Sequence, residues 1–256
     1  MRKLLAQYVL PTVILALLIQ PASAGLADGA QANLKAASAQ FEALLKEDAA
    51  RAAPPRLTDE KAKPVFGVLF DDAKILGSHP YTSAEVEPLL TVFGAYFGMT
   101  KSYLGFRNAQ GTNNIADNEF EYQNELSKLA EEMVKTSGAL AEALDNYVRT
   151  TPADQISEER KGGLARMRTG VSQVVSGVIT LLQNPRYSAE NKIVMAGAIV
   201  DTAPYLRQIL RVEDRKAFAK SALDSLLNSP KEVEPLINEF SNTMNSEDCI
   251  NLCALK

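Results

Sequence analysis

Apolar positions recur at helical spacing along almost the whole chain. Between Leu26 and about Ala50, the positions Leu34, Ala37, Phe41, Leu44 and Leu45 share one stripe, which Ala53-Pro54-Pro55 stops. A second segment, from Thr58 to Leu76, carries Val65, Phe66, Leu69, Phe70 and Ala73, and Gly77 with His79-Pro80 closes it. A third starts near Thr82 and runs to about Gly105. The connection FRNAQGTNN, at 106–114, has the glycine and asparagine content of a loop.

The strongest pattern follows that loop. Tyr122, Leu126, Leu129, Met133, Thr136, Leu140, Ala143 and Tyr147 step by 4, 3, 4, 3, 4, 3 and 4, a sustained heptad seam. Leu164, Met167, Val171, Val174, Val178 and Leu181 repeat it with steps of 3, 4, 3, 4 and 3. Thr151-Pro152 separates the two segments, and so short a break predicts a long antiparallel helical hairpin, about 117–149 and 154–183. On the second arm Gly163, Gly170 and Gly177 recur every seven residues. Glycine inside a helix costs about 1 kcal/mol against alanine, so the stripe predicts close approach of another backbone or crowding in a core.

Asn184-Pro185 ends that arm, and the rest divides into helices at about 189–200, 202–211, 213–228 and 230–245. Thr202-Ala203-Pro204 reads as one helix start and Ser229-Pro230 as another. No strand signal interrupts the series. The expectation is an all-α multi-helix bundle built around the hairpin, as a single domain over 25–256 with a soft division near 106–116.

The word EVEPL occurs at 85–89 and again at 232–236. A repeat array would explain it, but the related prolines Pro64, Pro88, Pro204 and Pro235 are 24, 116 and 31 residues apart, so no fixed period exists. Local chemistry explains the pair better. Thr82 with Glu85, and Ser229 with Glu232, each have capping-box spacing, and Glu87 and Glu234 add negative charge near a helix start.

The first twenty-four residues change the picture of where the chain works. Arg2 and Lys3, the apolar stretch from Leu4 to Ile19 and Ala22-Ser23-Ala24 form a secretory signal, with cleavage expected before Gly25 and a periplasmic or secreted location. Gln7, Tyr8 and Pro11 keep its apolar run below the roughly 20 residues that span a bilayer, so an integral membrane protein is not expected after cleavage. Without Arg2 and Lys3 the chain carries 25 basic and 31 acidic residues, a formal −6, which argues against nucleic acid or an anionic membrane as the main partner.

Candidate chemistry is sparse. His79 is the only histidine and sits in the turn SHPYTS; with no Gly-x-Ser-x-Gly elbow, a serine triad has little support. No Glu-x-x-His pair suits a di-metal bundle site and no phosphate loop is present, so neither metal nor cofactor is expected. Asp71-Asp72, Glu119 with Glu121, and Glu131-Glu132 are candidate acid–base carboxylates. The heptad register turns Glu131 and Glu132 away from the seam, toward solvent. Arg160, Lys161, Arg166 and Arg168, and then Arg207, Arg211, Arg215 and Lys216, form two basic groups, with Glu158, Glu159, Glu213 and Asp214 placed for intrahelical pairing. Cys249 and Cys253, the only cysteines, are expected to be oxidised in an exported chain as a disulfide in a distorted terminus.

The least ordinary segment is PLLTVFGAYFGMTKSYLGF, at 88–106, which holds Phe93, Tyr96, Phe97, Tyr103 and Phe106 with a Gly-x-x-x-Gly pair at Gly94 and Gly98. A buried helix packed on the hairpin accounts for it simply; the sharper reading makes Phe93, Tyr96, Phe97 and Tyr103 the lining of a site for an apolar ligand or a partner helix. The functional expectation is an exported, non-enzymatic helical binding or protein-interaction module of the cell envelope. The alternative is a carrier of an apolar small molecule or lipid, and third stands a carboxylate-dependent envelope enzyme.

Overall fold

The computed structural model describes residues 25–49, 53–107, 111–249 and 251–254, so the expected signal at 1–24 lies outside the described residues. Among them the chain is an all-α multi-helix bundle without strands: α1 (Ala30–Ala49), α2 (Lys63–Leu69), α3 (Val86–Leu104), α4 (Ile115–Glu121), α5 (Gln123–Thr150), α6 (Glu158–Gln183), α7 (Ala189–Ile209), α8 (Val212–Ser225) and α9 (Glu234–Met244). None of the described helices is long and apolar enough to cross a membrane. One connected core runs from Leu34 in α1 to Leu252 near the C-terminus.

Short polar side chains set the helix starts. Asn114 accepts from the amides of Ala116 and Asp117, Ser157 from Arg160 and Ser188 from Asn191, satisfying donors that a first turn leaves orphaned. The loop before α4 is stitched to the end of α3, because the amides of Asn113 and Asn118 both donate to the carbonyls of Leu104 and Phe106.

The helix α5 lies at the centre. Its seam residues are buried or half-buried, as the pattern predicts. Its most extensive contact is with α7, however, then α3; the contact with α6 is smaller. At one end Arg160 of α6 donates to the Tyr147 hydroxyl of α5 at 3.1 Å, and at the other Asn184, just past α6, donates to Glu119 of α4 at 2.8 Å. The seven-residue spacing therefore marks α5 and α6 as helices, while the larger share of α5 is covered by helices that the spacing does not name. At Gly138 the two helices approach so closely that a Cβ would stand 2.9 Å from Thr202 Cγ2.

Several expected boundaries differ for identifiable reasons. The first arm breaks at Tyr122, between α4 and α5, where φ is −106° and ψ 24°. Its ring is drawn into the core beside Tyr103, centroids 5.5 Å apart, beneath the Arg56 guanidinium. The segment expected over 58–76 is helical only from Lys63 to Leu69. The separate helices expected at 189–200 and 202–211 are one, α7, with Pro204 inside it. A proline there costs about 3 kcal/mol, and the helix continues because Ala203, Leu206 and Ile209 are fully buried.

The two EVEPL copies also part company. Thr82 and Glu85 form the full capping box, and Glu85 further accepts the Leu26 amide at 2.6 Å, tying the start of the described chain to α3. Ser229 instead donates back to the Ser225 carbonyl at 2.9 Å, and no side chain caps the turn at Lys231–Val233. The preceding helix already offers Ser229 a carbonyl one turn back, which competes with the cap.

Candidate functional site

The aromatic segment forms most of α3 and divides its side chains between two faces. Tyr96 and Tyr103 point inward: both are fully buried, the Tyr96 hydroxyl donating to the Leu69 carbonyl at 2.6 Å and that of Tyr103 to Pro55 at 2.7 Å. Burial pushes both phenols above their ordinary range. These two anchor α3 to the last residue of α2 and to the loop before it, and neither lines the groove formed by the other pair.

Phe93 and Phe97 face the other way. Their rings stack 6.3 Å apart, and Phe97 is 50 % exposed, a large apolar area left uncovered on a buried helix. They form one wall of a groove of about 490 Å³. Ala130 and Met133 of α5 form its floor, and Gly170, Val174, Gly177 and Leu181 of α6 the opposite wall; Gln173 is its one polar lining residue. The geometry follows from the weak α5–α6 contact: α6 stands off from α5, and α3 does not close the gap. A cavity of this size and lining is of the kind that takes a small apolar molecule, about 300–1,000 Å³.

The glycine stripe of α6 serves this groove. No backbone approaches it: a Cβ at Gly170 or Gly177 would meet nothing within 4 Å. The expected close approach or crowded core is thus replaced by open space, and the missing side chains widen the groove. Met133, Val174 and Leu181 complete a lining that the aromatic segment alone could not reveal, though the coincidence of the glycine spacing with an apolar seam marked the right helix.

Farther along the same valley lies a second hollow of about 550 Å³, lined by Val86 of α3, Leu144 and Tyr147 of α5, and Gly163, Leu164 and Met167 of α6. This one has charge at its rim, from Glu159, Arg160 and Arg166.

The carboxylate candidates come together in part. Lys135 Nζ lies 3.0 Å from Asp72 Oδ2, 3.0 Å from Glu131 Oε1 and 3.2 Å from Glu132 Oε1. Glu132, expected in solvent, is 1 % exposed: it flanks the seam, between Leu129 and Thr136, on a side of α5 where α3 packs. Burial pushes its carboxyl up to about 8, against the pull of Lys135. The Lys135 ammonium is held above its ordinary range, since its facing carboxylates outweigh its desolvation. Asp71 pairs with Lys74 instead, and Glu121 with Arg56. No group of three or more His, Cys, Asp or Glu among the described residues has an arrangement for a metal ion.

His79 stacks flat on Tyr205 and places Nδ1 2.6 Å from Glu142 Oε2, which also accepts the Tyr81 amide. It is a bracket between the turn before α3 and the α5–α7 pair. The two basic groups are partly spent inside the fold. Arg168 and Arg215 are buried and donate to the carbonyls of Leu252 and Asp248, bracing the C-terminal segment, while Lys161 and Lys216 pair with Glu158 and Glu247. Cys249 is joined to Cys253, with Cα atoms 5.6 Å apart, and Cys253 lies within the 3-10 turn at Asn251–Ala254.

The class these features define is a helical bundle with an apolar groove between α3, α5 and α6. Compared with known protein families, curated proteins and solved structures, the chain matches none.

Proposed function

We propose that the protein is an exported, non-enzymatic helical binding module of the cell envelope that takes an apolar ligand into the groove between α3 and α6. The observation that carries this reading is the half-exposed Phe97, stacked on Phe93 and facing the bare Gly170–Gly177 wall across Met133. Uncovered apolar area on a folded chain is costly unless something covers it in use. Asp72 and Glu131 are paired with Lys135 and Glu132 is sealed in the core, which weighs against acid–base chemistry on a substrate. The carrier reading is favoured over a protein partner because the groove is lined almost wholly by apolar side chains and, at about 490 Å³, has the volume of a small-molecule site.

The test is the neutral dye N-phenylnaphthylamine, which brightens in apolar surroundings. Its emission is expected to rise with the wild-type protein and to stay low with Gly177→Leu, whose Cβ would meet nothing within 4 Å and whose side chain would fill the groove. Equal brightening by both proteins overturns the reading. N-terminal sequencing of protein recovered from the envelope is expected to begin at Gly25; a chain starting at Met1 overturns export with cleavage.

A further inference from the structure

The groove has two chemically different ends. Along α6, the apolar lining from Gly170 to Leu181 spans roughly 16 Å at the helical rise of about 1.5 Å per residue. That is close to the thickness of one leaflet of a bilayer's hydrocarbon core, about 15 Å, and hence to the reach of one extended acyl chain. Three residues before Gly170, Met167 opens the second hollow, where Arg160 and Arg166 stand at the rim. On the opposite wall Val86, Leu90, Phe93 and Phe97 follow one another at steps of 4, 3 and 4, a continuous apolar stripe that leaves Leu90 40 % exposed. The two hollows lie end to end along α6, one apolar and one with cations at its rim, and from Leu181 to Arg166 they run about 22 Å, the length of a single amphiphile.

We infer that the ligand is a long-chain fatty acid anion, its chain lying between Phe93, Phe97, Val174 and Leu181 and its carboxylate held by Arg160 and Arg166. This rests on the groove being the binding surface. The charge at the rim selects the headgroup. Arg160 is steadied by the Tyr147 hydroxyl, and Arg166 has no ion pair among the described residues, so both guanidinium groups are available to a carboxylate. Glu159 shares the rim and offsets one of them, leaving a single net positive charge. That balance suits a monoanion better than a doubly charged phosphate.

The chain has no tryptophan, so Phe97→Trp places a single reporter in the groove. Hexadecanoate brominated in mid-chain is expected to quench its emission, with affinity falling roughly tenfold for every two methylenes removed. Brominated hexadecanol is expected to bind at least tenfold more weakly than the acid. Charge reversal by Arg160→Glu with Arg166→Glu in the reporter protein should erase the acid's advantage and leave the alcohol unchanged; Arg160→Gln with Arg166→Gln is the milder pair should the reversal unfold the protein. Equal binding of acid and alcohol overturns the headgroup assignment while the groove reading stands. Preference for a brominated lysophospholipid over the acid also overturns it. Dye binding without quenching by any brominated chain overturns the acyl assignment, and loss of dye binding as well sinks both readings.

Discussion

Lys135 Nζ stands 3.2 Å from Glu132 Oε1, one helical turn away on α5, beside a carboxyl whose second oxygen, Oε2, is buried without a hydrogen-bond partner among the described residues. Asp72 and Glu131 share the same ammonium, and Tyr96 lies close by on α3. The folded carboxyl keeps its proton up to about pH 8, whereas an unfolded glutamate releases it near 4.5. Between those values unfolding releases a proton, so this group's contribution is complete below about pH 4.5 and fades as pH rises through about 8. Glu132→Gln removes the burden of the charged form. It is expected to match the wild type near pH 5 and to exceed it by about 1–3 kcal/mol near pH 9. Thermal unfolding across that range decides it; a variant that tracks the wild type throughout would show that Glu132 is not the titrating group.

His79 and Tyr205 form a second dependable pair, with centroids 3.9 Å apart and planes 3° from parallel. Each of His79→Ala and Tyr205→Ala is expected to cost about 1–2 kcal/mol, the first also losing the hydrogen bond to Glu142. The double variant should cost less than the sum by about 0.5–1.5 kcal/mol, the coupling of the stack itself. Urea unfolding of the four proteins measures it, and strict additivity would mean that the rings do not stabilise one another.

Much of the fold can be read from spacing, and what escapes reading escapes for a physical reason. The seam from Tyr122 to Tyr147 and that from Leu164 to Leu181 locate α5 and α6 because a helix buries whatever recurs at that period. Spacing reports that a face is buried, not what buries it. Hence α7, some sixty residues away in sequence, takes the larger share of α5, and α3 covers Glu132 on the flank of the seam. Phe97 was identifiable as a candidate, but its neighbour Tyr96 was not separable from it by residue type; the 100° turn between adjacent helical positions sends one to the groove and the other to the core.

Glycine shows the same limit and supplies a direct test. Gly170 and Gly177 sit in regular helix with open space where a side chain would go, whereas Gly138 faces Thr202, whose hydroxyl is fixed on the Ala198 carbonyl at 2.7 Å. Gly170→Ala and Gly177→Ala are each expected to stabilise the protein by about 0.5–1 kcal/mol through helix propensity. Gly138→Ala should destabilise it by about 1–3 kcal/mol, the clash with α7 exceeding the propensity gain. Denaturant midpoints of the three variants rank them; a stabilising Gly138→Ala would mean that α5 and α7 part more readily than their packing implies.

Adjacent residues of α3 give the sharpest separation of structure from binding. Tyr96→Phe removes one hydroxyl and leaves the buried Leu69 carbonyl without its donor, at a cost of about 1–2 kcal/mol. It should leave dye and fatty acid binding unchanged, because the ring faces the core. Phe97→Ala, on a half-exposed side chain, should cost less than about 1 kcal/mol in stability and yet weaken binding about tenfold or more, since it strips the groove of the largest apolar surface on its α3 wall. Stability and binding measured on the same two samples should therefore change in opposite order. If Tyr96→Phe weakens binding as much as Phe97→Ala does, the groove is not where the ligand sits, and the division of α3 into a packing face and a binding face fails with it.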